Sequence, residues 1–239
     1  METIKINKQN TKMIAHRGLS GLEKENSMAA FICAGCHSYY GIECDIHPTK
    51  DNFFVVIHDS NTERVSGKNL IVEESTYDEI KDITLYGVNS SINYNHLRIP
   101  LLEEYIECCK KYNKICVIEF KFLFKEADIQ KVINIIKSYD YLENCVFISF
   151  IIENLIVLKN INENFKIQYL TSTWDEEKIN KCLEYKFDLD ILYTELTKER
   201  IDFMHQNNLK VNVWTVNSKE AGEQLVNDGV DYITTNILE

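Results

Sequence analysis

Several side chains suited to proton transfer or to anion binding stand where apolar, strand-like runs come to an end. His16 and Arg17 follow the run Met13–Ala15, and His58 follows the run Phe53–Ile57. Histidine gains and loses a proton near neutral pH, and the forked guanidinium of arginine matches the oxygen atoms of a phosphate group. These residues therefore indicate acid–base chemistry on an anionic substrate.

Acidic side chains stand two positions apart from a second charged residue in two further runs. Glu43 precedes Asp45 by two positions, and Glu119 likewise precedes Lys121. Side chains two apart on a strand point to the same face, so each pair projects together. Three converging carboxylates repel one another unless a proton or a cation lies between them, and oxygen ligands without thiolates suit Mg²⁺ or Ca²⁺. With Arg17 and Lys121 as fixed positive charges, the set indicates metal-assisted cleavage of a phosphoester.

The elements that must position these residues alternate along the chain. Apolar, β-rich runs recur with helical patterns between them, as in parallel βα units. The eight predicted strands are Met13–Ala15, Gly41–Ile46, Ile115–Lys121, Cys145–Phe150, Phe165–Leu170, Leu189–Tyr193, Lys210–Val216 and Val230–Thr235. Eight units favour the α/β class and a (β/α)8 TIM barrel, which typically takes about 250 residues and carries its chemistry at the carboxyl ends of the strands. A doubly wound open sheet is the alternative.

One domain accounts for residues 1–239, because no Pro-, Gly- or Ser-rich linker divides the chain. Residues 61–98 follow the second strand, are polar and show little periodicity. We interpret this segment as a small insertion within the barrel domain.

The charge balance limits the classes of partner. The formal net charge is −11, with 26 Lys and Arg against 37 Asp and Glu. This excludes a general binder of nucleic acid or anionic membranes, but not a phosphate substrate, because a cation held by carboxylates supplies positive charge locally. Met1–Lys12 has no signal-peptide core, and no run approaches the roughly 20 apolar residues of a membrane span. We expect a cytoplasmic protein that acts on a small molecule and has no stable membrane anchor; a homodimer is left open.

The eight cysteines indicate reduced thiols that pack as small apolar side chains, because the chain is long and lacks an export signal. Cys33-Ala34-Gly35-Cys36-His37 has the spacing of a c-type haem attachment site, yet the preceding run is typical of a buried helix. We therefore expect structural cysteines there.

The motifs occur in the order found in one known family. They are His16-Arg17-Gly18, Glu25-Asn26-Ser27, Gly41-Ile42-Glu43-Cys44-Asp45, His58-Asp59, Arg64, Ile99-Pro100, Ile118-Glu119-Phe120-Lys121, Val213-Trp214-Thr215-Val216-Asn217 and Gly229-Val230-Asp231. In this combination the chain resembles the glycerophosphodiester phosphodiesterase family from about Met13 to Thr235.

The resemblance implies a TIM barrel that hydrolyses glycerophosphodiesters, such as glycerophosphocholine or glycerophosphoethanolamine, to glycerol 3-phosphate and an alcohol. By position, the implied ligands of the divalent cation are Glu43, Asp45 and Glu119. The other implied roles are acid–base catalysis by His16 and His58, phosphate contacts by Arg17 and Lys121, and a pocket wall at Trp214, for which an aromatic residue that fills the barrel is the alternative. Which histidine is the base, and whether a cyclic phosphate forms before water attacks, are left open.

The chain departs from the family pattern at two places. The family pattern Pro-Glu-Asn-Thr is Lys24-Glu25-Asn26-Ser27 here, which keeps the hydroxyl. Thr235-Asn236 replaces a Thr-Asp pair, which leaves the rim after the eighth strand open.

Two alternative functions are left open. A lysophospholipase D-like or sphingomyelinase-like activity on the same barrel is one alternative. A non-catalytic barrel that binds a phosphorylated ligand is the other, and it would be expected to lack one of the histidines or carboxylates.

Overall fold

Eight parallel strands close into a barrel in the computed structural model, which describes residues 2–239. The strands in chain order are β1 (Lys12–Ala15), β2 (Gly41–Pro48), β3 (Phe54–Val56), β4 (Thr84–Tyr86), β5 (Asn93–Arg98), β6 (Ile115–Phe120), β7 (Cys145–Ser149), β8 (Lys166–Thr171), β9 (Asp188–Leu192), β10 (Val211–Trp214) and β11 (Tyr232–Thr235). The barrel order is β1-β2-β6-β7-β8-β9-β10-β11, and β1 pairs with both β2 and β11 to close it. The predicted TIM barrel is therefore confirmed, and the open sheet is not the fold.

Helices cover the outside of the barrel between successive strands. They are α1 (Met28–Gly35), α2 (Glu63–Ser66), α3 (Tyr77–Ile80), α4 (Leu102–Lys111), α5 (Glu126–Ser138), α6 (Ile152–Ile161), α7 (Glu176–Tyr185), α8 (Lys198–Gln206) and α9 (Lys219–Asp228). Within the described residues no helix follows β11. Instead, the backbones of residues 4–6 and 237–239 exchange hydrogen bonds of 2.8 to 3.0 Å. This pairing covers the side of the barrel where an eighth helix would otherwise pack.

Strand alternation separates two packing layers. On β2 and β6, Ile42, Cys44 and Ile118 face outward into the main core under the helices, and all are fully buried. The residues between them face the barrel interior, where a smaller apolar cluster that includes Ile14 and Val117 fills the lower part. Because the interior is filled from below, polar side chains nearer the carboxyl ends of the strands lie at the floor of the mouth.

Residues 61–98 carry their own small core beside the barrel mouth. This segment contains α2, α3 and the antiparallel pair β4–β5, and β3 pairs antiparallel with the end of β2 just before it. Its apolar side chains, among them Val65 and Leu85, form a separate cluster with Val55 and Ile57 of the β3 region. The segment is therefore packed against the structure that follows β2.

All eight cysteines are free thiols, and six of them are buried; of the pair expected to be structural, Cys33 is half-buried and Cys36 is exposed. No helix among residues 2–239 combines the length and the apolar character needed to cross a bilayer.

Candidate active site

The three predicted carboxylates meet at the carboxyl ends of β2 and β6. Strand register places Asp45 beside Glu119, with Glu43 two residues earlier on the same face of β2. One carboxylate oxygen from each residue lies within 4.8 Å of the other two, and all three side chains are buried. The spacing of two residues seen in the sequence therefore produces one compact acidic cluster.

The donor set of this cluster fits a hard divalent cation. Glu43 Oε1 and Asp45 Oδ1 are buried and have no hydrogen-bond partner, so both have lone pairs available for a cation. Burial, together with the charges of Asp45 and Glu119, raises the pKa of Glu43 well above its usual value. Burial and Asp45 raise the pKa of Glu119 to about 8. A cation bound among the three oxygens would offset the repulsion that raises the pKa values of Glu43 and Glu119.

Two basic side chains flank the acidic cluster. Lys121 Nζ lies 2.8 Å from Glu119 Oε1 and 3.4 Å from Asp45 Oδ1, and Arg17 Nε lies 3.4 Å from Asp45 Oδ2. Burial opposes ionisation of Asp45, but the charges of Lys121 and Arg17 outweigh it and hold the pKa of Asp45 below its usual range. The backbone of Arg17 has a φ of +55°, which turns its N–H toward Glu43 Oε2 at 2.8 Å. The site therefore combines a cation pocket with fixed positive charge beside it.

His16 lies at the end of β1, next to Arg17. Its Nδ1 is 2.7 Å from Asn236 Oδ1, an atom supplied by the loop after β11. Burial and the adjacent Arg17 guanidinium lower the pKa of His16 to about 4, so the imidazole is neutral at physiological pH. With Nδ1 occupied by a neutral amide, Nε2 is the nitrogen left for proton transfer.

His58 lies in the loop after β3 and has a charged partner. Its Nδ1 is 2.7 Å from Asp59 Oδ1, and the other oxygen of Asp59 accepts a 2.5 Å hydrogen bond from Arg64 Nε. Burial lowers the pKa of His58, while Asp45 and Asp59 favour its protonated form. The two histidines therefore differ in kind, since His16 is paired with an amide and His58 with a carboxylate.

Further polar residues that had no predicted site role lie in the same site. Asn26 Nδ2 donates to Asp45 Oδ2 at 2.7 Å, and Glu25 accepts hydrogen bonds of 2.9 Å from both Arg17 and Arg64. His47 is buried, and its Nε2 lies 3.2 Å from the carbonyl oxygen of His58. Glu25 and Asn26 stand in a motif of the sequence, but which atoms they bind depends on the folded loops.

Trp214 ends β10 on the far side of the mouth. Its ring meets that of Phe150 edge to face at a centroid distance of 5.5 Å, and its Nε1 is 3.4 Å from the carbonyl oxygen of Asp190. Phe150 directly follows β7, the strand that pairs with β6. The Trp214–Phe150 pair therefore places aromatic surface near the carboxyl ends of β7 and β10.

A cavity of about 320 Å³ opens beside His16 and Arg17. Its lining also includes Lys24, Asn89 and Asn236, so residues of the β4–β5 turn reach the mouth. The cavity is large enough for a small polar molecule, and it meets the acidic cluster through Arg17, which lines the cavity and contacts Asp45.

Comparison with known proteins identifies the family. A family model for the glycerophosphoryl diester phosphodiesterase family matches residues 16–239. The chain belongs to this family. A glycerophosphodiester phosphodiesterase of Caldanaerobacter subterraneus is 31% identical over 229 residues, which cover 95% of this chain and 94% of that protein. The resemblance inferred from the motifs is therefore confirmed.

Two solved structures extend the comparison. A glycerophosphodiester phosphodiesterase from Parabacteroides distasonis matches with a TM-score of 0.78 and 28% identity, over 95% of this chain and 93% of that one. A phosphodiesterase from Oleispira antarctica, solved with its product sn-glycerol-3-phosphate, matches with a TM-score of 0.87 and 23% identity, over 94% and 92%. The barrel seen here is thus the fold of solved members of the family.

Proposed function

We propose that this enzyme hydrolyses glycerophosphodiesters with small head groups, such as glycerophosphocholine and glycerophosphoethanolamine, to glycerol 3-phosphate and an alcohol. The observation that carries the proposal is the cluster of Glu43, Asp45 and Glu119 between two basic side chains and two histidines. The name of the Caldanaerobacter relative supports the activity, and the Oleispira protein, with the same fold, binds sn-glycerol-3-phosphate.

The charges of the site favour one divalent cation and one phosphodiester. Three ionised carboxylates and the two cations Arg17 and Lys121 leave one negative charge. A divalent cation, Mg²⁺ or Ca²⁺, converts this to one positive charge, equal and opposite to the charge of a phosphodiester. When bound, such a cation would polarise a phosphoryl oxygen and lower the pKa of a hydroxyl group. Arg17 and Lys121 would stabilise the negative charge that develops on the remaining phosphoryl oxygens.

The histidines are proposed to divide the proton transfers according to their partners. His16 is held by the neutral amide of Asn236 beside the Arg17 cation, a setting that favours a neutral imidazole able to accept a proton. His58 is held by the carboxylate of Asp59, which stabilises an imidazolium able to donate one. We assign His16 as the base for the attacking hydroxyl, from the glycerol 2-position or from water. We assign His58 as the acid that protonates the leaving alcohol.

The activity is tested by release of glycerol 3-phosphate from glycerophosphocholine and glycerophosphoethanolamine in a coupled assay. We expect turnover that EDTA abolishes and Mg²⁺ or Ca²⁺ restores; full activity after exhaustive chelation would refute the metal assignment. Choline release from lysophosphatidylcholine and from glycerophosphocholine provides the comparison with a lysophospholipase D-like activity, which would be favoured if lysophosphatidylcholine were turned over faster. Binding of glycerophosphocholine with no turnover under any metal condition would favour the non-catalytic alternative.

A substrate with an activated leaving group tests the two histidine roles. We expect His16→Ala and His58→Ala each to lower kcat for glycerophosphocholine by about 10²- to 10⁴-fold. A p-nitrophenyl ester of glycerol 3-phosphate has a leaving group that needs no proton, so His58→Ala should retain most of its activity on this ester while His16→Ala should not. The opposite result would exchange the two assignments.

Two proposals concern the surroundings of the site. We propose that Trp214, with Phe150, forms an aromatic wall against the carbon skeleton of the substrate. Residues 61–98 are proposed to be an insertion within a single domain, 1–239, that shapes access to the mouth through the β4–β5 turn.

A further inference from the structure

Arg64 lies on α2, outside the barrel strands, and contacts both Asp59 and Glu25. We propose that Arg64 is a positioning residue, which fixes the carboxylate partner of His58 and, through Glu25, the guanidinium of Arg17. The inference rests on the proposed function, because the groups that Arg64 orients are the proposed acid and a proposed phosphate contact. On this inference, residues 61–98 both shape access to the mouth and hold the proposed catalytic groups in place.

Every nitrogen of the Arg64 guanidinium is engaged by a carboxylate. Nε donates to Asp59 Oδ2 at 2.5 Å, and the two terminal nitrogens donate to the two oxygens of Glu25 at 2.9 Å each. The contact with Glu25 is a bidentate fork, which fixes direction as well as distance. Arg64 therefore holds two carboxylates at a set separation.

Both carboxylates also contact residues of the proposed chemistry. Asp59 uses its other oxygen, Oδ1, for His58 Nδ1 at 2.7 Å, and Glu25 Oε1 also accepts from an Arg17 terminal nitrogen at 2.9 Å. A continuous series of four contacts thus runs from His58 to Arg17 through Arg64. Without Arg64, the carboxylate of Asp59 would be free to rotate away from His58, and Glu25 would have Arg17 as its only basic partner.

Packing of the insertion does not depend on Arg64. Its neighbour Val65 is buried and contributes to the apolar cluster of residues 61–98, whereas the Arg64 side chain is 46% exposed and faces the mouth. A loss of function on replacement of Arg64 can therefore be separated from a loss of folding. Since its nitrogens are already paired with carboxylates, the geometry assigns Arg64 to orientation of its neighbours and not to direct binding of substrate.

The first experiment compares Arg64→Gln and Arg64→Lys with Arg98→Gln in the glycerophosphocholine assay. Arg98 is the matched control, because it is an arginine of the same segment, 43% exposed, and its acidic neighbour Asp82 lies 3.8 Å away at the surface. We expect Arg64→Gln to lower kcat by about 10- to 100-fold, the usual cost of losing a partner that orients a catalytic group. KM should change by less than about threefold, and Arg98→Gln should match the wild type. Lysine supplies a charge but no fork, so Arg64→Lys should recover only part of kcat.

A double-mutant cycle with Asp59→Asn distinguishes positioning of His58 from general stabilisation. If Arg64 acts through Asp59, Arg64→Gln should cost much less in the Asp59→Asn background than in the wild type, because residues in one network are not additive. Effects that multiply in this cycle and also in a cycle with Glu25→Gln, or a kcat for Arg64→Gln within twofold of the wild type, would overturn the inference. Should Arg64→Gln fail to fold, as judged by its melting temperature, the cycle is run with Arg64→Lys and the same two outcomes decide.

The same assay separates failure of this inference from failure of the proposed function. A wild-type enzyme that is active, with an inactive His58→Ala and a fully active Arg64→Gln, would contradict the inference alone. A wild-type protein that releases no alcohol from any glycerophosphodiester would overturn both.

Discussion

Replacement of Glu43 by glutamine should stabilise the cation-free protein while it abolishes activity. The three nearest carboxylate oxygens lie within 4.8 Å of one another, and two unit charges at that limit repel by about 3.5 kcal/mol at an effective dielectric constant of about 20. The raised pKa of Glu43 shows that the folded protein disfavours its ionised form. Proton uptake relieves the repulsion, but it costs free energy at neutral pH because glutamate in the unfolded chain is ionised there. Glutamine is the neutral isostere, and it retains an oxygen to accept the 2.8 Å hydrogen bond from the Arg17 N–H.

We therefore expect Glu43→Gln to raise the free energy of unfolding in EDTA by about 1–3 kcal/mol, part of the repulsion being already offset by Arg17. For a chain of this size each kcal/mol raises Tm by roughly 2–4 °C, which differential scanning calorimetry resolves. With Mg²⁺ or Ca²⁺ in excess, the wild type should gain stability by mass action and the variant should gain less. The advantage of the variant should thus shrink or reverse when the cation is present.

Glu103→Gln is the matched control for this experiment. Glu103 lies on α4 and also has a buried oxygen without a partner, but it is not a member of the acidic cluster. Its substitution should leave the cation-induced rise in Tm equal to that of the wild type. A Glu43→Gln variant that is less stable than the wild type in EDTA, or that keeps the full cation-induced rise, would refute the reasoning.

Three further predictions concern the loop between β1 and α1. Gly18→Ala should lower the free energy of unfolding, measured by urea denaturation, by at least about 2 kcal/mol. The reason is that φ is +77° and the new Cβ would lie 2.7 Å from Ala30. Gly229→Ala is the control, because φ is +93° but the space is open, and it should cost only the backbone strain of about 1 kcal/mol. Ser27→Ala removes the side-chain cap of α1 and should lower the free energy of unfolding by about 1 kcal/mol by the same method, whereas an unchanged midpoint would show that the cap is dispensable. Burial opposes ionisation of Glu25, but its two arginine partners lower its pKa to about 2. Its stabilising effect is therefore present above pH 4.5 and is lost as the pH falls toward 2. Glu25→Gln should flatten the acid side of a plot of Tm against pH, and an unaltered slope would contradict this.

The barrel and its acidic cluster were predictable because both follow from strand periodicity. A strand buried on both sides, such as Ile115–Phe120, is a continuous apolar run, and a charged residue that interrupts it at Glu119 must face the barrel mouth. Glu43 and Asp45 lie two positions apart on the same strand, so their shared face likewise follows from strand periodicity. What the family resemblance added was a role for each strand-end residue and the class of substrate.

The partners of the proposed catalytic residues were not predictable in this way. Asn236 reaches His16 only because β11 closes against β1, and Arg64 reaches Glu25 only because a segment with little periodicity folds beside the mouth. Such contacts depend on loop conformation and barrel closure, which local spacing does not encode. The absence of a helix after β11 among the described residues was left open by the sequence for the same reason.

The hydrogen bond between His16 and Asn236 joins residues that are 220 positions apart. During synthesis the three carboxylates and both histidines emerge from the ribosome long before this asparagine does. The contact that orients His16 forms only when β11 pairs with β1. Closure of the barrel is therefore required for the proposed base to be oriented, and a chain that lacked β11 would hold all three carboxylates and both histidines without this contact.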